Sequence, residues 1–159
     1  MHILTECYPC SAGDVMMDST LVDYAALEAY QKHPAHVAVA DGVHVGFITL
    51  WKLDELTFLE HFVTYPAYRN QGYGRQVLAL LKEKYPLLVL EAEHPDTELA
   101  ARRLAFYGRM GFVANNYPYI QPSYHGESAG VPLVLMSYPK ALENPAAIAQ
   151  TLYKEVYKQ

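Results

Sequence analysis

Residues 56 to 92 constrain the fold more than any other part of the chain. Leu56 to Thr64 is rich in Phe, Leu and Thr and ends at Tyr65-Pro66, where a proline cannot continue a central ladder. Gln71 to Lys84 then places Val77, Leu78 and Leu81 on one helical face, and Pro86 stops it. Leu87 to Ala92 follows as an apolar strand of the kind buried on both sides. A strand, a helix and a buried strand in that order need a sheet with helices against it. The rest of the chain supplies both. Ile3 to Tyr8 reads as a first strand, and a helical stretch runs from Asp14 with Leu21, Tyr24, Ala25 and Leu27 to a stop before Pro34. Val37 and Val39, a turn at Asp41-Gly42, and Val43 to Ile48 make a hairpin. Asp96 is placed to cap a helix ending at Met110, with Gly111 as its C-terminal glycine. Phe112 to Tyr119 and Val131 to Tyr138 close the sheet, and Asn144-Pro145 opens a last helix, about 145 to 158, with Ile148, Leu152 and Val156 in one stripe. That stripe either covers the sheet or forms a homodimer contact. The expected fold class is α/β (α+β), a mixed and mostly antiparallel sheet flanked by helices.

Composition narrows the function. A chain of 159 residues predicts one domain spanning 1 to 159, and 52% hydrophobic with 18% charged residues lies outside the range of disordered chains. A net charge of -5 opposes binding to a phosphate backbone, so nucleic acid is not an expected partner. No apolar run reaches the roughly 18 residues of a membrane span, and the start of the chain carries no leader pattern, so a cytoplasmic protein is expected. The two cysteines form Cys7-Tyr8-Pro9-Cys10. Zinc would need two further soft ligands at matching spacing, which the sequence does not supply, so no metal is expected. Two reduced thiols are the plain reading, with a dithiol redox site as its rival.

The loop Tyr65 to Arg75 joins a strand directly to a helix. The first N–H groups of a helix lack intrahelical partners and lie at the positive end of its dipole, so small residues there admit an anion. Gly74 is followed by Arg75-Gln76, which rules out a Walker A loop, and Val77 stands where G-x-G-x-x-G needs its third glycine. Arg69-x-x-Gly72-x-Gly74 instead resembles the R/Q-x-x-G-x-G/A signature of the GNAT superfamily of N-acetyltransferases. Phe106-Tyr107-Gly108-Arg109-Met110-Gly111-Phe112 is similar to that family's F/L-Y-x-x-x-G-F segment, and the order of elements from Ile3 to Tyr138 resembles its fold. The resemblance implies acetyl-CoA as cosubstrate. Its pyrophosphate would lie on the loop carrying Arg69, at the N–H groups of Asn70, Gln71, Gly72, Tyr73, Gly74 and Arg75. Its pantetheine arm would be bound like an added strand by Phe62, Val63 and Thr64. Many relatives carry asparagine seven residues before the tyrosine; Ala100 has no polar atom to offer there.

Acetyl transfer to an ammonium group needs a base for the amine, donors for the oxyanion and help for the leaving thiolate. Strand alternation puts Glu60 with Phe58, Phe62 and Thr64 on one face and His61 with Leu59 and Val63 on the other. The family pattern often has a catalytic Glu or His four residues before the position of Thr64, which makes Glu60 the expected base and leaves His61 to pack or cap beneath a helix; a purely structural Glu60 and His61 as the base are the rival readings. By resemblance the Tyr107 hydroxyl would lie near the sulfur, acting as acid or hydrogen-bond donor. Neither cysteine matches a family position, so transfer is expected to be direct. The loop from Asn115 to Glu127 is rich in tyrosine, and Tyr117, Tyr119 and Tyr124 are the candidates for binding an amine or peptide acceptor, against a reading in which the rings merely pack. The expected activity is N-acetylation of a primary amine on a small molecule or peptide. Its rivals are an acyl-CoA-binding sensor on the same fold and the C-x-x-C redox protein.

Overall fold

Asp41 and Gly42 both take positive φ, 51° and 80°, and fold the chain into the hairpin that starts the sheet. The computed structural model describes residues 2–4, 35–123 and 129–158. The helix read from Asp14, Cys7, Cys10 and Tyr124 lie outside them. The chain divides into two units, Met1–Trp51 with Leu59–Leu80 and Lys52–Phe58 with Leu81–Gln159.

In the first unit, β1 (His2–Leu4), β2 (Ala35–Ala40), β3 (Val43–Lys52) and β4 (Thr57–Thr64) lie in that order. β1 pairs antiparallel with β2, His2 opposite Val39, and β2 pairs antiparallel with β3 from Ala35 opposite Thr49 to Ala40 opposite Val43. The alternation expected of the hairpin is not seen in β3. Val43 and His44 are exposed, but every residue from Val45 to Trp51 is buried, because β3 is an interior strand covered on both faces. A short 3₁₀ turn, Pro66–Tyr68, leads from β4 to helix α1 (Tyr73–Lys84), whose Val77 and Leu78 are buried as their spacing predicts.

In the second unit, the N–H of Thr57 at the start of β4 donates to Leu87 O at 2.9 Å beside β5 (Leu88–Glu93). β5 pairs antiparallel with β8 (Val131–Tyr138), Leu88 opposite Tyr138 and Glu93 opposite Leu133. Helix α2 (Glu98–Arg109) starts one residue later than read. Thr97 is the extended residue whose Oγ1 accepts from Ala100 N at 3.1 Å, whereas Asp96 sits in the preceding turn. Gly111 follows with φ of 89°, as its position after the helix requires. The strand expected over 112 to 119 is two pieces, β6 (Val113–Ala114) and β7 (Tyr119–Gln121), each paired with β8. Asn115 breaks it: its buried amide donates to Leu135 O and Ser137 Oγ, both at 3.0 Å, and its Oδ1 accepts from Leu142 N at 2.8 Å. Asn144 caps α3 (Pro145–Glu155) through Ala147 N, and the helix ends at Glu155, short of the expected residue 158. Of the stripe, Leu152 and Val156 are buried within the chain beside Ala149, and Ile148 is half-buried. Together the elements form a mixed, mostly antiparallel sheet flanked by helices.

Gly46 was not singled out in the sequence, yet it fixes how β3 meets β4. A Cβ built on it would collide with the Val63 carbonyl oxygen and lie 3.1 Å from Thr64 Cα. The partner atoms are backbone and cannot rotate away. Gly46→Ala should therefore cost about 1–3 kcal/mol, the usual penalty of overpacking, read as a lower urea midpoint at unchanged slope.

Candidate active site

β4 carries the expected base, and β3 holds it. The Glu60 side chain is only 2% exposed, and a carboxylate taken that far out of water must find donors. Trp51 Nε1–H donates to its Oε2 at 2.7 Å, and Thr49 Oγ1 stands 3.4 Å from the same oxygen. The strict alternation that separated Glu60 from His61 fails here. His61 Nδ1 lies 3.5 Å from Glu60 Oε2 and 2.9 Å from Thr49 Oγ1, and the His61 backbone N–H donates to that hydroxyl at 3.0 Å. One threonine hydroxyl thus draws both neighbouring residues of β4 into one polar group. The His61 side chain keeps 30% of its exposure. Thr49 and Trp51 carried no sequence signal, since which β3 residues oppose Glu60 depends on a register that no local pattern states.

From Glu60 the strand runs through Phe62, Val63 and Thr64, all half-buried, into the glycine loop. Arg69 Nε donates to Thr64 O at 3.1 Å and Tyr65 N to Val45 O at 2.9 Å, which tie the strand end down. Asn70 has φ of 62° and Gly72 of 83°, two left-handed residues that turn the chain into α1, and Gln71 Nε2 is bonded to Ala67 O at 2.8 Å. At Gly72 the space around a Cβ is open, so what the position requires of glycine is its backbone angle. Gln76 N donates to Gly72 O, so the N–H groups of Tyr73, Gly74 and Arg75 precede the helical ladder. Residues 69 to 72 are exposed. The first unit therefore brings together Glu60, Phe62 to Thr64 and Arg69 to Arg75 on one continuous stretch.

Tyr107, Tyr117 and Tyr119 belong to the second unit. Tyr107 sits in α2 with its ring 5.5 Å from that of Phe106 and 6.0 Å from that of Phe112. Burial pushes its hydroxyl up to about 12, with the Arg103 charge pulling weakly the other way. It is a proton-retaining hydrogen-bond donor, and so a poor source of a whole proton for a thiolate of ordinary pKa about 8.5. Tyr119 is not an open ring: it is 1% exposed, stacked on Tyr153 at 5.7 Å, and its hydroxyl donates to Glu91 Oε1. Burial, then the Glu91 charge, raises its pKa far above the tyrosine range. Tyr157 OH donates to the same carboxylate at 2.8 Å and Gln121 Nε2 at 2.7 Å. Of the tyrosines in that loop, Tyr119 serves the core and Tyr117 is half-buried.

A family model described as an acetyltransferase (GNAT) domain matches residues 20–114, more than half of the chain. A solved structure described as a GNAT-family acetyltransferase from Bacteroides thetaiotaomicron is 34% identical, with 86% of this chain and 82% of that one aligned at a TM-score of 0.80. The chain belongs to the GNAT acetyltransferase family. At 19% identity, a GNAT acetyltransferase from Elizabethkingia anophelis, solved with acetyl-CoA bound, shares the fold over 86% of this chain and 94% of that one with a TM-score of 0.59. An IAA acetyltransferase from Bacillus cereus does so at 16% identity over 86% and 98%, with a TM-score of 0.59. No curated protein matches. Among the described residues no helix is long and apolar enough to cross a membrane.

The raised Tyr107 pKa makes a prediction about alkaline stability. The unfolded chain loses that proton near pH 10 and the folded chain near 12, so the unfolded state binds fewer protons between them and stability falls as pH rises through that window. Tyr107→Phe should flatten part of the decline, read from urea midpoints at pH about 9 and about 11. An equal decline in both proteins would contradict the assignment.

Proposed function

We propose that the chain transfers an acetyl group from acetyl-CoA directly to a primary amine of a small molecule or peptide. The observation that carries this reading is the Thr49, Glu60 and His61 group on the strand that runs straight into the glycine loop. It offers a proton-accepting centre and an anion-accepting helix start within one short segment. The cosubstrate assignment is supported by family membership, by the two left-handed residues before α1, and by the bound acetyl-CoA of the Elizabethkingia protein. In this reading Asn70 to Arg75 receive the pyrophosphate on backbone N–H groups, and Phe62 to Thr64 receive the pantetheine arm. Glu60 supplies the negative charge that draws the amine's proton, and Tyr107 steadies the leaving thiolate by a hydrogen bond. Tyr117 and Tyr124 remain the assigned aromatic contacts for the acceptor.

The test is release of free thiol from acetyl-CoA against polyamines, aminoglycosides, amino acids and basic peptides. Binding of acetyl-CoA without release across that panel would favour a sensor and defeat the proposal. Acetyl-CoA should also raise the melting temperature, since a ligand confined to the folded state adds about 2.7 kcal/mol at a hundredfold excess over its Kd. Gly72→Glu should abolish that shift in a chain that still folds, through charge repulsion and an unfavourable left-handed glutamate.

Against the accepted amine, Glu60→Gln should lower kcat by about 10²- to 10⁴-fold while acetyl-CoA affinity stays the same. The substitution keeps an oxygen for Trp51 and removes the charge. Higher pH should restore part of the rate by neutralising the amine without enzymatic help. Wild-type turnover in this variant would remove Glu60 from the chemistry.

A further inference from the structure

We infer that Gln121 selects the acceptor: its side-chain Oε1 is a fixed hydrogen-bond acceptor for a second, cationic nitrogen of the amine substrate, so the chain favours diamines over monoamines of the same shape. This rests on the amine-acetyltransferase reading and on the assignment of Tyr117 to the acceptor, and it names the substrate class.

Gln121 ends β7, and its amide is held at the nitrogen. Nε2 lies 2.7 Å from Glu91 Oε2 and 3.0 Å from Tyr157 OH. A primary amide carries its donors on the nitrogen and its acceptor lone pairs on the oxygen. Turned the other way, it would set its oxygen against a carboxylate oxygen at hydrogen-bond distance, so the nitrogen faces Glu91 and Oε1 faces away. The backbone is fixed as well. Gln121 lies opposite Val131 in the β7–β8 pair, and Gly130, at φ of 81°, passes so close that a Cβ there would meet Gln121 O at 2.6 Å. A side chain tethered at both ends has little rotamer freedom left to lose when a ligand binds.

Among the described residues Oε1 has no partner, and Gln121 is half-buried rather than sealed. The Tyr117 hydroxyl, on a half-buried residue, has none among them either. Tyr153 links the two. Its hydroxyl donates to Ile120 O at 2.9 Å, one residue from Gln121. Burial raises the Tyr153 pKa, the bond to Ile120 works against that, and Tyr117 and Glu91 raise it further, so both lie within electrostatic reach of Tyr153. A ligand therefore meets acceptor oxygens beside the Glu91 charge. A carboxylate is repelled there, a methyl group leaves Oε1 unbonded, and an ammonium brings both hydrogen and opposite charge. A nitrogen kept cationic by that contact has no lone pair for attack on the thioester. The nitrogen at Gln121 is thus a second one, and the reacting amine lies elsewhere on the same molecule.

The experiment compares putrescine and cadaverine with the n-alkylamines that carry methyl in place of the second ammonium, in thiol release and in the side-chain amide ¹H–¹⁵N resonances of Gln121. Wild type should favour the diamines by about 10- to 100-fold in kcat/KM, the worth of a hydrogen bond to a charged group. The diamines should move the Gln121 amide resonances, and the monoamines should leave them still. Gln121→Met keeps the length of the side chain and removes both polar atoms, so the preference should fall to about unity with the KM for acetyl-CoA unchanged. If Gln121 served only to hold Glu91, this variant would slow both kinds of amine alike and the preference would survive. Gln121→Lys keeps a donor for Glu91 and drops the acceptor, and it should lose the preference in the same way where the methionine variant folds poorly. The inference is overturned by equal use of both amines in wild type, by a preference that survives in either variant, or by thiol release from a diamine with the Gln121 resonances unmoved. No thiol release from any amine of the panel, with those resonances still moved by the diamines, defeats the acetyltransferase reading instead and keeps Gln121 as a diamine contact.

Discussion

The burial of the Glu60 carboxylate sets the terms for the rest of the first unit. A charge with 2% of its side chain exposed survives only if donors are built around it, and removing one partner of such a group leaves an expensive orphan. Two donors come from β3, Trp51 through its indole and Thr49 through its hydroxyl. The two strands must therefore keep one register, since a slip of one residue would turn Thr49 and Trp51 to the opposite face. Gly46 serves the same end further along. By having no side chain it lets β3 approach the Val63 carbonyl closely at the far end of β4, where the glycine loop begins. The polar group at Glu60 and the close approach at Gly46 hold β4 at two points, and the segment between them is the one assigned to the pantetheine arm.

The loop after β4 is fixed by a different kind of interaction. Its geometry comes from backbone angles at Asn70 and Gly72 and from side chains bonded back to carbonyls, Arg69 to Thr64 O and Gln71 to Ala67 O. None of these contacts uses the N–H groups of Tyr73, Gly74 and Arg75 at the start of α1. A loop that satisfied its own donors internally could not receive an anion; this one spends its side chains on shape and leaves backbone donors for a ligand.

Much of this was legible in the sequence where the signal is local. The hairpin turn, the helix with Val77 and Leu78 inside, the glycine after α2 and the asparagine cap of α3 each depend on a few adjacent residues. What escaped depends on pairings distant in sequence. The split of the strand over 112 to 119 follows from a buried Asn115 whose partners, Leu135, Ser137 and Leu142, are twenty or more residues away. The shared hydroxyl that joins Glu60 to His61 comes from β3, eleven and twelve residues earlier, and no alternation rule anticipates it. One clue was present and passed over. Glu91 is a charge in the otherwise apolar run from Leu87 to Ala92, and a charge in a buried strand implies donors somewhere.

Those donors give the second carboxylate its contrast with the first. Glu91 is ringed by Tyr119, Gln121 and Tyr157, drawn from β7 and from the turn after α3, so its oxygens knit the C-terminal helix to β5. Burial and the Glu91 charge together make Tyr119 harder to ionise. The group fastens β7 and the turn after α3 to β5. Glu60 has an indole that orients it in the same way, and the Thr49 hydroxyl ties it to its chain neighbour His61. The two carboxylates thus differ in reach: the donors named for Glu60 lie 9 and 11 residues away in sequence, those named for Glu91 28 to 66.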